Sequence, residues 1–331
     1  MKYKISIAFI LVSLICLDNA FSQDSHFSNI TQTRSFINPS NCGNFKEDYQ
    51  FAAAYRNQYA SVPVGYNTFY LSGETKYKQI NLGTILLNDR AGDASWQTTQ
   101  LSFIASKNLK FIDKIFDITF GVMPSFNFNS FNPEKLYFNS QFLGDAFSTN
   151  NPTGENFIIN KSSFFSSSFG FNSTYKINSK LILNLGYSFK INSNFLKTYN
   201  TIANKISNKN NLQLNLMHVL DDKTYINYEI NYSQQSKNRQ FIFNSILTRK
   251  TSANKNINAL KLGLGIRAAD AIMLYTGFVA NNFDVNFCYD VNYSGFSKAT
   301  NSFGAAEIAL VYKLYKSRII KSNVQACPVY M

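Results

Sequence analysis

Phe287-Cys288-Tyr289-Asp290-Val291-Asn292 and, beyond a polar interval through Ser294-Gly295-Phe296, Gly304-Ala305-Ala306-Glu307-Ile308-Ala309-Leu310-Val311-Tyr312 form the stretch on which the fold turns. Strand side chains alternate between two faces. Gly304, Ala306, Ile308, Leu310, Tyr312 and Leu314 therefore share one face, and Phe303, Ala305, Glu307, Ala309, Val311 and Lys313 the other. One face is oily and the other carries the charge. A half-buried sandwich strand has this pattern, and so does a closed barrel whose oily face meets lipid and whose charged face meets a lumen.

Working outward, the same alternation recurs. In 181–191 Leu181, Leu183, Leu185, Tyr187, Phe189 and Ile191 oppose Asn184, Gly186, Ser188 and Lys190. In 225–233 Ile226, Tyr228, Ile230 and Tyr232 oppose Tyr225, Asn227, Glu229, Asn231 and Ser233, and in 259–267 Leu260, Leu262, Leu264 and Ile266 oppose Lys261, Gly263, Gly265 and Arg267. Helices, with a period near 3.6, do not sustain period two over several pairs. These lengths match the roughly 9 to 11 residues that a tilted strand needs to cross a bilayer. Further strand-like segments lie at 52–59, 66–75, 79–87, 96–106, 115–126, 164–176, 212–220, 241–248, 272–281, 284–293 and 303–315. The expectation is an all-β fold, a transmembrane antiparallel β-barrel of about 14 strands over residues 49–331, an even number as in bacterial barrels.

Composition agrees. The 331-residue chain has 31 Phe, 20 Tyr and 15 Gly, but one Trp and six Pro. Its mean hydropathy of -0.17 is that of a chain in which only alternate residues need face lipid. Lys2 and Lys4 precede an apolar run over 5–17, followed by Asp18-Asn19-Ala20-Phe21-Ser22-Gln23. This is a secretory signal over 1–22, cut between Ser22 and Gln23. The run is shorter than the ~20 residues of a spanning helix, and Ile15 before Cys16 is not the small residue of a lipoprotein site.

Residues 23–48 are polar and irregular, punctuated by Asn38-Pro39-Ser40-Asn41-Cys42-Gly43. A long polar connection near 127–160 reads as an extracellular loop, since such barrels have short periplasmic turns and longer outer loops. Its centre, Leu136-Tyr137-Phe138-Asn139-Ser140-Gln141-Phe142, is too apolar for a mere tether.

The formal charge is +13, yet the basic residues are scattered singly rather than gathered into the patch that nucleic acid requires. Basic loops or a basic lumen facing outer-membrane lipid account for them better. Cys42, Cys288 and Cys327 survive processing, an odd number that leaves at least one without an intramolecular partner. A Cys42–Cys327 bridge and free buried thiols are both open, and no pair has metal-ligand spacing. His26 and His218 are the only histidines, no nucleophile elbow or triad signature is present, and Gly263 and Gly265 sit in a strand with no following helix to hold phosphate. Neither catalytic residues nor a cofactor or metal site is expected. Arg56, Lys190, Glu229, Lys261, Arg267 and Glu307 fall on polar strand faces, where they either line a path or fill a closed interior.

These residues carry a resemblance. Gln23-Asp24-Ser25-His26-Phe27-Ser28 is similar to the Gln-Asp-Pro-His-Phe-Ser opening of the PorP/SprF family, with Ser25 where Pro is usual. Phe36-Ile37-Asn38-Pro39-Ser40-Asn41-Cys42-Gly43 resembles its Asn-Pro-Ala-x-x-Gly motif, and Tyr55-Arg56-Asn57-Gln58-Tyr59 its Tyr-Arg-Asn-Gln-Trp. Gly83 with Asn88-Asp89-Arg90-Ala91-Gly92, Arg267-Ala268-Ala269-Asp270-Ala271, Tyr289-Asp290-Val291-Asn292, Gly304 to Glu307, and Cys327-Pro328-Val329-Tyr330 follow in family order. The resemblance implies a non-enzymatic outer-membrane component of the type IX secretion and gliding machinery of Bacteroidota. Its expected partners are periplasmic-ring or peptidoglycan-binding lipoprotein components, or a secreted cargo protein with a C-terminal targeting domain. These would be bound by the N-terminal segment and the outer loops. Arg56, Asp89, Arg267, Asp270, Asp290 and Glu307 are the residues expected to order the barrel interior or rim. The rival functions are a pore for small hydrophobic or anionic solutes and a lipid-acting enzyme.

Overall fold

The computed structural model describes residues 25–316 apart from 60, 62–64, 93–94, 113–114, 133–134, 144–145, 149, 153, 155–160, 194–205, 252–255 and 296. The signal region, its cut between Ser22 and Gln23, and Cys327 lie outside the described residues.

The barrel strands are β1 (Tyr49–Gln58), β2 (Tyr66–Tyr77), β3 (Ile80–Ala91), β4 (Trp96–Ile112), β5 (Phe116–Ser130), β6 (Lys161–Lys176) and β7 (Leu181–Ser193). They continue as β8 (Lys209–Val219), β9 (Thr224–Gln235), β10 (Asn238–Lys250), β11 (Ala259–Arg267), β12 (Ala271–Ala280), β13 (Phe283–Asn292) and β14 (Phe303–Leu314). Each pairs antiparallel with its sequence neighbour, and β1 pairs with β14 to close the barrel. No helix among the described residues is long and apolar enough to cross a membrane.

The alternation works as the sequence implies. In β11 Leu260, Leu262, Leu264 and Ile266 are exposed on the outer face, while Ala259, Gly265 and Arg267 are buried inside. A concavity of ≈ 910 Å³ lies between Leu262, Leu264, Phe287, Tyr289 and Ile308, whose side chains are exposed on this outer face.

The connections at one end are short, at 78–79, 113–115, 177–180, 220–223 and 281–282, with 251–258 longer. The opposite end carries the long ones, at 131–160, 194–208 and 293–302. Outer-membrane barrels carry their longer loops on the extracellular side, and the second end has that pattern. The longest connection begins at 131 rather than at 127, because alternation persists to Ser130: Phe126 and Phe128 point out, and Asn127 points in and donates to Ser166 Oγ at 2.9 Å. Within it a two-residue hairpin pairs Phe142–Leu143 with Ala146–Phe147.

The N-terminal segment departs most from expectation. Residues 25–48 form an ordered strap with a one-turn helix, α1 (Arg34–Ile37), and a 3₁₀ turn at Pro39–Asn41, and the strap lies inside the barrel. Phe27 packs on Tyr70 and Phe36, with ring centroids 5.7 and 6.1 Å apart. The three join Ile85, Leu87 and Met123 in one apolar cluster inside the wall. This segment therefore turns polar groups to the lumen, where the inward polar faces of the strands leave donors and acceptors that its backbone satisfies.

If the leucine face of β11 meets lipid, Leu262→Arg near the strand centre lowers barrel stability by about 2–4 kcal/mol. Urea titration of the protein folded into phospholipid vesicles measures this, and an unchanged midpoint would place the face away from the bilayer core.

Candidate functional site in the barrel lumen

Four inward side chains from strands far apart in sequence meet around Ser28. Arg56 on β1 donates through Nη2 to Asp290 Oδ2 at 2.8 Å and through Nη1 to Glu307 Oε2 at 3.2 Å. Arg267 on β11 reaches the same Asp290 oxygen at 3.0 Å. All four side chains are at most 3% exposed. Ser28 sits at their centre: its Oγ accepts from Arg56 Nη1 at 2.7 Å and Arg267 Nη2 at 2.6 Å and donates to the Asp290 carboxylate at 3.0 Å.

The strap backbone is captured in the same place. The N–H groups of Ser28 and Asn29 donate to the two oxygens of Glu307 at 2.8 and 2.9 Å, and the Ser28 carbonyl accepts from Tyr275 Oη at 2.9 Å. Two guanidinium groups and two carboxylates balance, which is the condition under which charge tolerates burial. Asp290 stands where the β13–β14 register shifts, between Asp290 opposite Ala305 and Val291 opposite Phe303. Such a bulge re-aims the side chains beside it.

The opposite wall holds the strap by shape. Asn38 Oδ1 accepts from Ser40 N at 3.0 Å and Ser40 Oγ at 2.7 Å, tying the Pro39 turn, while Asn38 Nδ2 donates to the Phe171 carbonyl of β6 at 3.1 Å. The turn rests on bare backbone: a Cβ at Gly170 would lie 2.1 Å from Asn38 Oδ1, and one at Gly121 2.4 Å from Pro39. Only glycine allows that approach. Farther along the strap, Glu74 of β2 accepts from Ser35 Oγ at 2.7 Å and from the N–H of Gly43, beyond the turn, at 2.8 Å, where φ is +74°. Thr31 donates to Glu229, which also accepts from Asn244 Nδ2 at 3.2 Å.

Of the residues singled out in the sequence, Arg56, Arg267, Asp290 and Glu307 converge here. Asp270, in the turn after β11, joins at the edge through Arg267 Nη1 at 3.0 Å and is partly exposed. Asp89 stands apart on β3, accepting from Thr68 Oγ1 at 2.6 Å. Lys261 pairs with Asp284 at 2.6 Å, away from the strap. His218 shares the outer face of β8 with Leu214 and Leu216, far from the charged group.

His26 enters the lumen, where burial and the positive charges of Arg267 and Arg56 hold its imidazole well below its ordinary pKa and therefore neutral. Cys42 and Cys288 are buried free thiols. Burial and the neighbouring Glu74 push the Cys42 thiol well above its ordinary range, so it is not a nucleophile. Among the described residues no group of three His, Cys, Asp or Glu is placed to hold a metal ion. The arrangement can hold a segment of chain and keep charge paired.

Ser28, Glu74, Asn38, Gly121 and Gly170 escape a strand-by-strand reading. The available signal was glycine at inward strand positions next to an Asn-Pro turn.

Arg56→Met leaves Glu307 and Asp290 short of a partner and costs about 3–5 kcal/mol, read from urea unfolding. Gly170→Leu should expel the turn, raising hydrogen exchange at residues 36–42 while the barrel strands stay protected. Unchanged exchange would mean that the turn does not need the bare backbone.

No curated protein matches the chain. Among solved structures the barrel is similar to the Ralstonia pickettii toluene transporter TbuX, at 9% identity and a TM-score of 0.51, with 86% of this chain and 94% of that chain covered. It is also similar to the CymD monoaromatic hydrocarbon channel, at 9% identity and a TM-score of 0.52, covering 88% and 94%. The P. putida toluene transporter TodX is a third, at 9% identity and 0.50, covering 86% and 94%. Identities this low speak to the fold alone, an outer-membrane type of barrel. The family profile described as "Type IX secretion system membrane protein PorP/SprF" matches residues 19–312, which take in the strap, its glycine seat and every member of the charged group. By that match the chain belongs to the PorP/SprF family of type IX secretion system membrane proteins.

Proposed function

We propose that the protein is a sealed platform in the outer membrane that holds partner proteins of the secretion machinery, or a secreted protein with a C-terminal targeting domain, at its extracellular end. The observation that carries this reading is the occupied lumen. A strap anchored at both walls, with a luminal cavity of only ≈ 40 Å³ beside it, suits a closed barrel better than a passage for solutes. In this reading Arg56, Arg267, Asp270, Asp290 and Glu307 keep the interior rigid, Asp89 steadies the rim, and none takes part in turnover. Export through a signal cleaved between Ser22 and Gln23 belongs to the same proposal.

A contact surface is available on the long connection. Tyr137, Phe142 and Phe147 are 72%, 44% and 37% exposed. Their rings touch in sequence, Tyr137 to Phe147 at 4.9 Å and Phe142 to Phe147 at 5.2 Å between centroids. Aromatic groups exposed together on a loop beyond the bilayer are typical anchors of protein interfaces.

The test is affinity capture of the tagged protein from detergent-solubilised outer membranes, with bound proteins identified by mass spectrometry. Machinery components or one large exported protein should be recovered by the intact chain. They should be lost when residues 136–148 are replaced by a Gly/Ser linker in a barrel that still folds. Recovery of the barrel alone, together with steady conductance in planar bilayers, would replace this reading with that of a pore.

A further inference from the structure

Strands β4 and β5 outrun their neighbour. The β3–β4 ladder ends with Asn81 opposite Ser106, whereas β4 goes on to Ile112 and pairs there with Phe116 of β5. Residues 108–112 of β4 therefore have β5 on one side and, among the described residues, no strand on the other. Their backbone N–H and C=O groups on that side form an open edge. It stands at the end of the barrel with the short connections, the periplasmic end in barrels of this type.

The edge lies beyond the bilayer core. Between Trp96 and Lys107 β4 already has the roughly 9 to 11 residues that a spanning strand needs, and Lys107 is exposed on the outer face, where a charge costs little only near the interface. Past it Leu109, Phe111 and Ile112 are 37%, 62% and 54% exposed, and Ile115 in the following connection 45%. Apolar groups exposed together outside lipid mark a contact surface. Its two faces differ. Alternation puts Leu109 and Phe111 on the outer face and Asn108 and Lys110 on the inner one. Lys78, in the turn between β2 and β3, stands at the head of the open side. Lys78, Lys107 and Lys110 are exposed, and among the described residues none of them is in an ion pair. Asp117, the register partner of Lys110 on β5, forms none with it.

We propose that this edge takes an added β-strand from a periplasmic protein, an extended segment in which apolar and acidic residues alternate. The open backbone supplies the hydrogen bonds, Leu109 and Phe111 take the apolar side chains, and Lys110 and Lys78 take the carboxylates. In strand addition the main chain gives affinity and the alternate side chains give specificity. A second copy of this chain does not fit, because its edge brings the same lysines and like charges opposed across a strand pair repel. The site is at the opposite end from the aromatic loop, is independent of the platform reading and stands or falls by its own test.

That test uses the purified full-length protein in phospholipid nanodiscs. A short fluorescein-labelled peptide alternating Val and Asp is the probe and one alternating Val and Lys the reference, both read by fluorescence anisotropy at constant ionic strength. The acidic peptide should bind saturably and the basic one should not. Hydrogen exchange at residues 108–112 should slow in the complex while that of β13 stays the same, a change that charge attraction without strand pairing does not produce. Lys110→Glu should weaken binding roughly five- to tenfold, attraction being exchanged for repulsion across a strand pair. Lys223→Glu, in the turn between β8 and β9, should bind as the parent does, and heat-modifiable gel mobility reports that each variant folds. Equal binding of the two peptides, unchanged exchange at residues 108–112 under saturating peptide, or undiminished binding by folded Lys110→Glu would overturn the proposal. So would strong quenching of Phe111→Trp, in a Trp96→Phe background, by brominated acyl chains, since that would put the tip in the bilayer.

Discussion

The carboxylate of Glu307 holds two consecutive backbone N–H groups, those of Ser28 and Asn29, while Arg56 holds the carboxylate. Nearly everything else inside the barrel depends on that contact. It joins the last strand, the first strand and the N-terminal strap at a point with no access to solvent. A carboxylate taken out of water loses far more than one neutral hydrogen bond returns. It remains charged only where a cation and several donors surround it. Arg56 and the strap provide that surrounding, and Glu307 in turn gives partners to backbone groups that would otherwise be orphaned in the lumen.

A strap fixed at one point could still swing. The second anchorage, the Asn38-Pro39-Ser40 turn seated on Gly121 and Gly170, removes that freedom by shape rather than charge. The two holds differ in kind, and they fall on opposite walls. One is electrostatic and demands geometry within a few tenths of an ångström. The other is steric and demands only that no Cβ be present. Between them the lumen is crossed by ordered chain.

Much of this was legible strand by strand. The oily face of Leu260, Leu262, Leu264 and Ile266 and the polar face of Lys261 and Arg267 follow from period two, and the barrel bears them out. The same parity put Arg56, Arg267 and Glu307 indoors. Asp89, grouped with them by motif order as a residue of the interior or rim, lies two residues from the end of β3 and accepts from Thr68. The strap reads as irregular in the sequence, with Pro39 and Gly43 as turn markers among the polar residues Ser28, Asn29, Thr31 and Asn38. They are polar because they complete the lumen's hydrogen bonds. Polarity alone does not distinguish a solvated loop from one buried among polar side chains.

The sequence by itself determined which residues of each strand face lipid and which face inward, since alternation is a local property of extended backbone. It also determined that the strands suffice for a barrel and, through the order of its motifs, the family. Only the tertiary structure decided which inward charges meet. Arg56 and Glu307 are 251 residues apart in the chain and become neighbours through the closing of β1 on β14. Register, the bulge beside Asp290 and the path of the strap are consequences of that closure. A pairing that exists only once the sheet has curved back on itself leaves no periodic trace in the strands that make it.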